Sequence, residues 1–228
     1  MKNIPPERLQ REMDKFIKQI INEEIVLGEK AKTIQELEKE NLALLIADDA
    51  GDLMFVLYDP IKMQSAFDKY SKYSLIYAIK GMMTIRKNEK GNFYHVLRVA
   101  SNRGYGPTIY DVAMSRIKPL PLAADRNSTS EAAQKVWEYM FYERQKDFNL
   151  IPLSTKDEEF GFGAGSKNRE FLQDNPAFQY AYEIKVKRNL SKLIKANESF
   201  FNSNLKVQDK LRQTIKQAAD MFFNDLYE

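Results

Sequence analysis

The stretch from residue 93 to residue 117 constrains the fold more than any other part of the chain. An alternating apolar run over 93–100 leads into Arg-Gly-Tyr-Gly at 103–106, and apolar residues at helical spacing follow. This order predicts a strand, a glycine turn and a helix over about 108–117. Such a turn aims backbone N–H groups and the positive end of a helix dipole at one point, which favours phosphate binding. The alternative is a tight turn in which glycine only supplies a positive φ.

Composition limits the class of protein. The chain has 228 residues, 43% of them hydrophobic, enough for one sizeable core, and no apolar run long enough to cross a bilayer. It has no cysteine and one histidine, His95, which excludes disulfides and argues against a zinc site. The net charge of +3 is too small to indicate nucleic acid by itself. We expect a soluble, cytoplasmic protein with no metal and no signal peptide.

Periodicity and turn signals predict a mixed α/β protein. Helices are predicted over 7–24, from the capping box at Thr33, over 60–72, over 108–117, from the capping box at Ser128 to about Arg144, and from Asn189 onward with a break near 202–204. Strands are predicted over 42–47, 53–58, 75–86, 92–100, 120–124 and 178–186, the first four as two hairpins, with a loop over 157–168. We expect one α/β domain over residues 1–187 and a helical C-terminal extension over 188–228.

From residue 75 to 186, the predicted order of elements and the turn chemistry resemble the GCN5-related N-acetyltransferase (GNAT) superfamily. The pyrophosphate motif of that family is Gln/Arg-x-x-Gly-x-Gly/Ala, and residues 101–106, Ser-Asn-Arg-Gly-Tyr-Gly, match both glycines. Ser101 departs from the first position, and Pro107 removes one backbone N–H. The resemblance implies a mixed, mostly antiparallel sheet flanked by helices, and acetyl-CoA as the cofactor.

A second segment, residues 122–144, looks like a pattern in uncharacterised acetyltransferase-like proteins of tailed bacteriophages. In the superfamily, the helix after the fifth strand carries Asn-x-x-Ala-x-x-Leu-Tyr, and its tyrosine often protonates the departing thiolate of coenzyme A. Aligned on Ala133, this chain has Ser130 at the asparagine position and Trp137 at the tyrosine position. An indole supplies no titratable proton, so the usual general acid is missing from its usual place.

The resemblance implies a cofactor site at the glycine turn. The candidate cofactor-binding residues are Val99, Ser101, Arg103, Gly104, Tyr105, Gly106 and Thr108. Tyr139 and Tyr142 are candidate replacements for the general acid, because a phenol with a pKa of about 10 stays protonated at pH 7. The alternative is that both tyrosines pack at the edge of a core stripe. His95 is the candidate base for an ammonium acceptor, or else a hydrogen-bonded structural histidine.

The C-terminal part of the chain suggests partners. Five cations without an acid among them could contact phosphates, although a solvated face is the usual explanation: Lys185, Lys187, Arg188, Lys192 and Lys195. The helices after residue 189 have an apolar face that must pack on the chain's own domain or on a partner, as in a homo-oligomer or a virion.

The leading hypothesis is a GNAT-like acyltransferase that moves an acetyl group from acetyl-CoA to an unidentified amine, in the host cytoplasm if the chain is phage-encoded. The rival is a catalytically inactive GNAT-fold phage protein that acts by binding, as a virion component or an inhibitor of host defence. Ser101, Pro107 and Trp137 favour the rival. A nucleic-acid-binding module that uses the basic segment is the weaker third hypothesis, and no membrane partner is expected.

Overall fold

A mixed sheet forms the centre of the protein. The computed structural model describes residues 32–49, 51–69, 72–88, 92–125, 129–153 and 175–224. Within these ranges the strands are β1 (Ala43–Asp49), β2 (Asp52–Tyr58), β3 (Ile79–Lys87), β4 (Tyr94–Ser101), β5 (Leu122–Ala123), β6 (Phe148–Pro152) and β7 (Tyr180–Ile184). They lie in the order β1-β2-β3-β4-β5-β7-β6, and every neighbouring pair is antiparallel except β4 and β5. The predicted mixed, mostly antiparallel sheet is confirmed.

Helices cover both faces of this sheet. In the described ranges they are α1 (Ile34–Lys39), α2 (Pro60–Asp68), α3 (Lys72–Ala78), α4 (Gly106–Ile117), α5 (Glu131–Tyr142), α6 (Ser191–Asn202) and α7 (Gln208–Asn224). The capping box predicted at Thr33 is present, since Thr33 Oγ1 accepts from the Glu36 amide at 3.3 Å and Glu36 Oε2 accepts from the Thr33 amide at 2.6 Å. The predicted pair of C-terminal helices, with a break near 202–204, is also confirmed.

Several predicted boundaries are wrong. The strand predicted over 75–86 begins only at residue 79, because 72–78 is helical and its Leu75 and Ile76 pack with residues of α2. Short apolar runs do not distinguish a buried helix from a strand. The N-cap of α5 is Ser130, whose hydroxyl accepts from the Ala133 amide at 3.3 Å, and Ser128 lies outside the described residues. Strand β6 was not predicted, and the predicted helix 7–24 and loop 157–168 also lie outside the described residues.

The two faces of the sheet bury separate cores. The front face, as we call it, carries α1, α4 and α5, with apolar side chains such as Phe55 and Met83 pointing from the strands into that core. The back face carries α2, α3 and α7. Helix α6 runs along the edge strand β1, so its Leu193 joins the front core and its Phe200 joins the back core. The apolar face of the C-terminal helices therefore packs against the chain's own sheet.

Candidate functional site

Strands β4 and β5 separate soon after they meet. They pair in parallel at only two positions, Tyr94 with Leu122 and His95 with Ala123, after which β5 ends and β4 continues to Ser101. A bulge coincides with the separation, because Ile85 of β3 faces Val96 whereas the adjacent Thr84 faces Arg98, which leaves Leu97 as the extra residue. A bulge bends its strand and takes one residue out of the hydrogen-bonded ladder. A gap in the sheet therefore opens between β4 and β5 beyond His95.

A cavity of about 330 Å³, here called the slot, lies in this gap. Its walls are formed by Val96, Leu97, Arg98, Val99, Tyr110, Asp125, Thr129, Ser130, Ala133, Trp137 and Phe223. Tyr110 and Trp137 are each only 1% exposed and form the deep end, whereas Arg98, Asp125 and Ser130 are partly exposed at the mouth. An apolar deep end with a polar mouth suits a ligand that has an apolar tip and a polar stem.

Packed aromatic rings hold the deep end in place. The Trp137 indole meets Tyr110 edge to face, with ring centroids 5.2 Å apart, and its centroid also lies 5.0 Å from that of the tilted Tyr182 ring. Tyr182 is itself held by Phe148, at 5.7 Å, and by its hydroxyl, which donates to the Ala177 carbonyl at 2.8 Å. Edge-to-face contacts of this kind stabilise beyond the area they bury. The indole is thus packed against two elements, α4 through Tyr110 and β7 through Tyr182.

The C-terminal helix forms the wall on the back face. Phe223 of α7 lines the slot, and the Arg98 guanidinium lies over its ring at 5.5 Å. Arg98 also forms an ion pair with Asp220, one helical turn earlier in α7, at 3.1 Å. The last turn of α7 is therefore attached to β4 at the position where the slot opens.

The glycine turn has the geometry that its sequence predicts. Gly104 has a φ of +78°, which favours glycine, and the Tyr105 amide donates to the Asn102 carbonyl at 3.1 Å. The Ile109 amide makes the first hydrogen bond of α4, to the Tyr105 carbonyl at 3.0 Å, so the amides before it have no acceptor within the helix. Pro107 has no N–H to add.

Residues 32–40 pack over this turn. The Tyr105 hydroxyl donates to the Glu40 carboxylate, Lys32 Nζ lies 4.2 Å from the Tyr105 ring centroid, and the Thr108 hydroxyl donates to the Lys32 carbonyl at 3.4 Å. Lys32 and Glu40 form an ion pair at 2.5 Å. Burial opposes both charges, but the hydrogen bonds with the ion-pair partner and with Tyr105 prevail, so the pKa of Lys32 is raised and the pKa of Glu40 is lowered.

The sequence-predicted cofactor residues do not form one site. Val99 lines the slot, whereas no residue from 101 to 106 contributes to its walls as the described residues form them. Arg103 is exposed, Tyr105 and Gly106 are buried, and the Tyr105 hydroxyl is covered by Glu40. Thr108 lies in a second cleft on the front side of α4.

The predicted catalytic residues are also dispersed. Tyr139 is buried and lines the second cleft, and Tyr142 is 61% exposed. His95 is half-buried at the last position where β4 pairs with β5, next to Val96 in the slot wall. The phenol that does line the slot is Tyr110, which the sequence did not single out. Nearly every position of α4 is buried, so no amphipathic pattern distinguishes Tyr110 from its neighbours.

The second cleft, about 640 Å³, is lined by charges that are largely paired with one another. Its floor holds Arg144, which donates to Asp111 at 3.0 and 3.1 Å and to Asp147 at 2.9 Å. Arg188 reaches the same Asp111 carboxylate at 3.4 Å. These pairs reduce the charge available to a ligand.

Three of the five cations in the predicted basic segment are engaged by the chain itself. Lys185 donates to a backbone carbonyl at 2.9 Å, Arg188 binds Asp111, and Lys192 binds Glu38 at 2.8 Å. Phosphate contacts would have to compete with these bonds.

Comparisons with family models, curated proteins and solved structures found no match to this chain. In the described ranges, no three His, Cys, Asp or Glu side chains are grouped so that they could hold a metal ion. No helix in those ranges is long and apolar enough to cross a membrane.

Proposed function

We propose that the protein is a GNAT-like acyltransferase that binds the acyl end of acetyl-CoA in the slot and transfers the acetyl group to an amine acceptor. The observation that carries this proposal is the separation of the parallel strands β4 and β5 at the Leu97 bulge, beside a cavity with an apolar end. In the reaction, the amine nitrogen attacks the thioester carbon, the C–S bond breaks, the nitrogen loses a proton and the thiolate gains one.

The backbone of β4 suits the developing charge. A bulge leaves backbone groups outside the ladder, and Leu97 borders the slot. Backbone N–H groups that face a site shielded from water stabilise negative charge on a carbonyl oxygen more strongly than they would in water. Holding the thioester against this strand would also supply rate by positioning alone.

Two side chains near the slot suit the proton transfers. Tyr110 lines the slot and carries a phenol that can protonate a thiolate, a role for which Tyr139 and Tyr142 are less well located. His95, where the strands separate, is the candidate to take a proton from the acceptor ammonium.

The pyrophosphate of the cofactor would bind at the glycine turn, as the resemblance implies. Amides at the start of α4 without an acceptor in the helix, the exposed Arg103 and the cation Lys32 favour an anion there. The bonds of Lys32 and Glu40 with Tyr105 and Thr108 oppose it, because residues 32–40 would have to shift to admit a phosphate group.

That obstruction favours a second candidate function. A GNAT-fold protein that has lost chemistry would keep the sheet and the turn while its own side chains fill the cofactor site. The buried Trp137 and the packed turn fit a phage protein that acts by binding, as a virion component or an inhibitor of host defence.

Calorimetric titration with acetyl-CoA separates the two functions. The acyltransferase proposal requires saturable binding to the wild-type chain and its loss in Ala133→Leu, which places a larger side chain in the slot wall. Ala132→Leu is the matched control, because Ala132 is the adjacent, exposed residue of the same helix. No heat of binding at millimolar acetyl-CoA would exclude the acyltransferase, and equal affinities of the two variants would place the ligand outside the slot.

A further inference from the structure

We infer that Trp137 sets the upper limit on the length of the acyl chain that the slot accepts. This inference rests on the proposed function and adds to it a residue that determines specificity. It follows from the shape of the slot, from the fixed position of the indole and from the nature of the residues that precede it along α5.

Two small side chains of α5 and its N-cap precede Trp137 in the slot wall. Ser130, Ala133 and Trp137 line the same side of this helix at spacings of three and four residues, so they follow one another along the slot wall. The side chains of Ser130 and Ala133 are small, whereas tryptophan has the largest side chain of any residue type. An acyl group that enters past Ser130 and Ala133 therefore reaches the indole.

The indole has no room to move aside. Tyr110 of α4 and Tyr182 of β7 both contact it, and Tyr182 is anchored by its hydrogen bond to Ala177. Trp137 is 1% exposed and belongs to the front core, so a rotation of the ring would have to displace neighbouring core side chains. A longer chain meets a rigid wall instead of a flexible side chain.

A rigid apolar wall discriminates by chain length. Each added methylene that finds no space loses its burial and strains the complex, and one methylene in such pockets changes specificity by about tenfold or more. The two-carbon acetyl group needs the least space in front of the Trp137 indole, whereas a six-carbon chain would have to push against it.

The test compares the affinities of acetyl-CoA, butanoyl-CoA and hexanoyl-CoA by calorimetry. We expect the wild-type chain to bind hexanoyl-CoA more weakly than acetyl-CoA by about a hundredfold or more. Trp137→Leu should reduce this ratio of dissociation constants at least tenfold. The matched control is Phe141→Leu, which also removes an aromatic ring from α5 but at a residue outside the slot wall, and it should leave the ratio unchanged. Trp137→Phe, which keeps more of the packing, should give an intermediate ratio.

The outcomes are distinguishable. If the wild-type chain binds all three thioesters equally, or if Trp137→Leu keeps the wild-type ratio, the inference is overturned and the proposed function stands. If acetyl-CoA itself does not bind, the proposed function fails and the inference fails with it. The wild-type series needs no variant, so it shows whether affinity falls with acyl chain length even if Trp137→Leu does not fold.

Discussion

Arg144, just after the end of α5, donates two hydrogen bonds to the carboxylate of Asp111 in α4, with N–O distances of 3.1 and 3.0 Å. Both side chains are buried, at 8% and 5% exposure. Burial alone would lower the pKa of Arg144, but the adjacent Asp111 raises it, so the Arg144 guanidinium stays charged. Because Asp111 follows Tyr110 and Arg144 follows α5, this pair joins the two helices that form the deep end of the slot.

Breaking this pair should destabilise the protein strongly. Arg144→Met leaves Asp111 with a buried and poorly compensated charge, and we expect the free energy of unfolding to fall by about 3–5 kcal/mol in urea titrations. Lys192→Ala removes a pair whose lysine is 74% exposed, Lys192 with Glu38, and should cost about 0–1 kcal/mol. Equal losses in the two variants would mean that the buried pair does not hold the helices together.

Stability should fall in mild acid partly through Glu40. Its pKa in the folded protein lies below the usual value of 4.5, so the folded state binds fewer protons than the unfolded chain in that range. The contribution of Glu40 is therefore complete above that value and is lost as the pH falls through the folded pKa. Urea midpoints measured from about pH 6 to pH 3 should show a shallower decline in Glu40→Gln than in the wild type. An unchanged slope would contradict a stabilising contact with Lys32 and Tyr105.

Removing the side chain with which α7 lines the slot should weaken the binding of acetyl-CoA. Phe223→Ala opens the slot to water on the back face and deletes apolar contact, and we expect the dissociation constant of acetyl-CoA to rise about tenfold. Leu205→Ala, at a residue that is 68% exposed before α7, serves as the control. Calorimetry that finds the same affinity in both variants would mean that α7 does not contact the ligand.

Turnover should depend on the phenol in the slot. Tyr110→Phe should reduce the rate of thiol release from acetyl-CoA by about a hundredfold, the low end of what general acid catalysis contributes. Tyr142→Phe should have no effect, because Tyr142 is 61% exposed and is not part of the slot wall. If only Tyr139→Phe or Tyr142→Phe slowed thiol release, the general acid would instead be the tyrosine that the sequence suggests.

Local sequence signals predicted the local structure well. The Thr33 capping box and the hairpin of β1 and β2 depend on side chains within a few residues of each other, and both were predicted. The bulge at Leu97 could not be predicted from the sequence, because it arises from the register between β3 and β4 rather than from either strand alone. Phe223 joins the slot wall from a helix more than one hundred residues away from β4, a contact that only the packing of the whole sheet produces.

The most direct test of the slot uses Trp137, since it is the only tryptophan in the chain. Its fluorescence, excited selectively and followed during titration with acetyl-CoA, reports on the deep end of the slot itself. The account predicts a saturable change in intensity or wavelength in the wild-type chain and in Ala132→Leu, and none in Ala133→Leu. A wild-type spectrum that stays constant while calorimetry records binding would contradict the central claim, because the ligand would then lie away from the gap between β4 and β5.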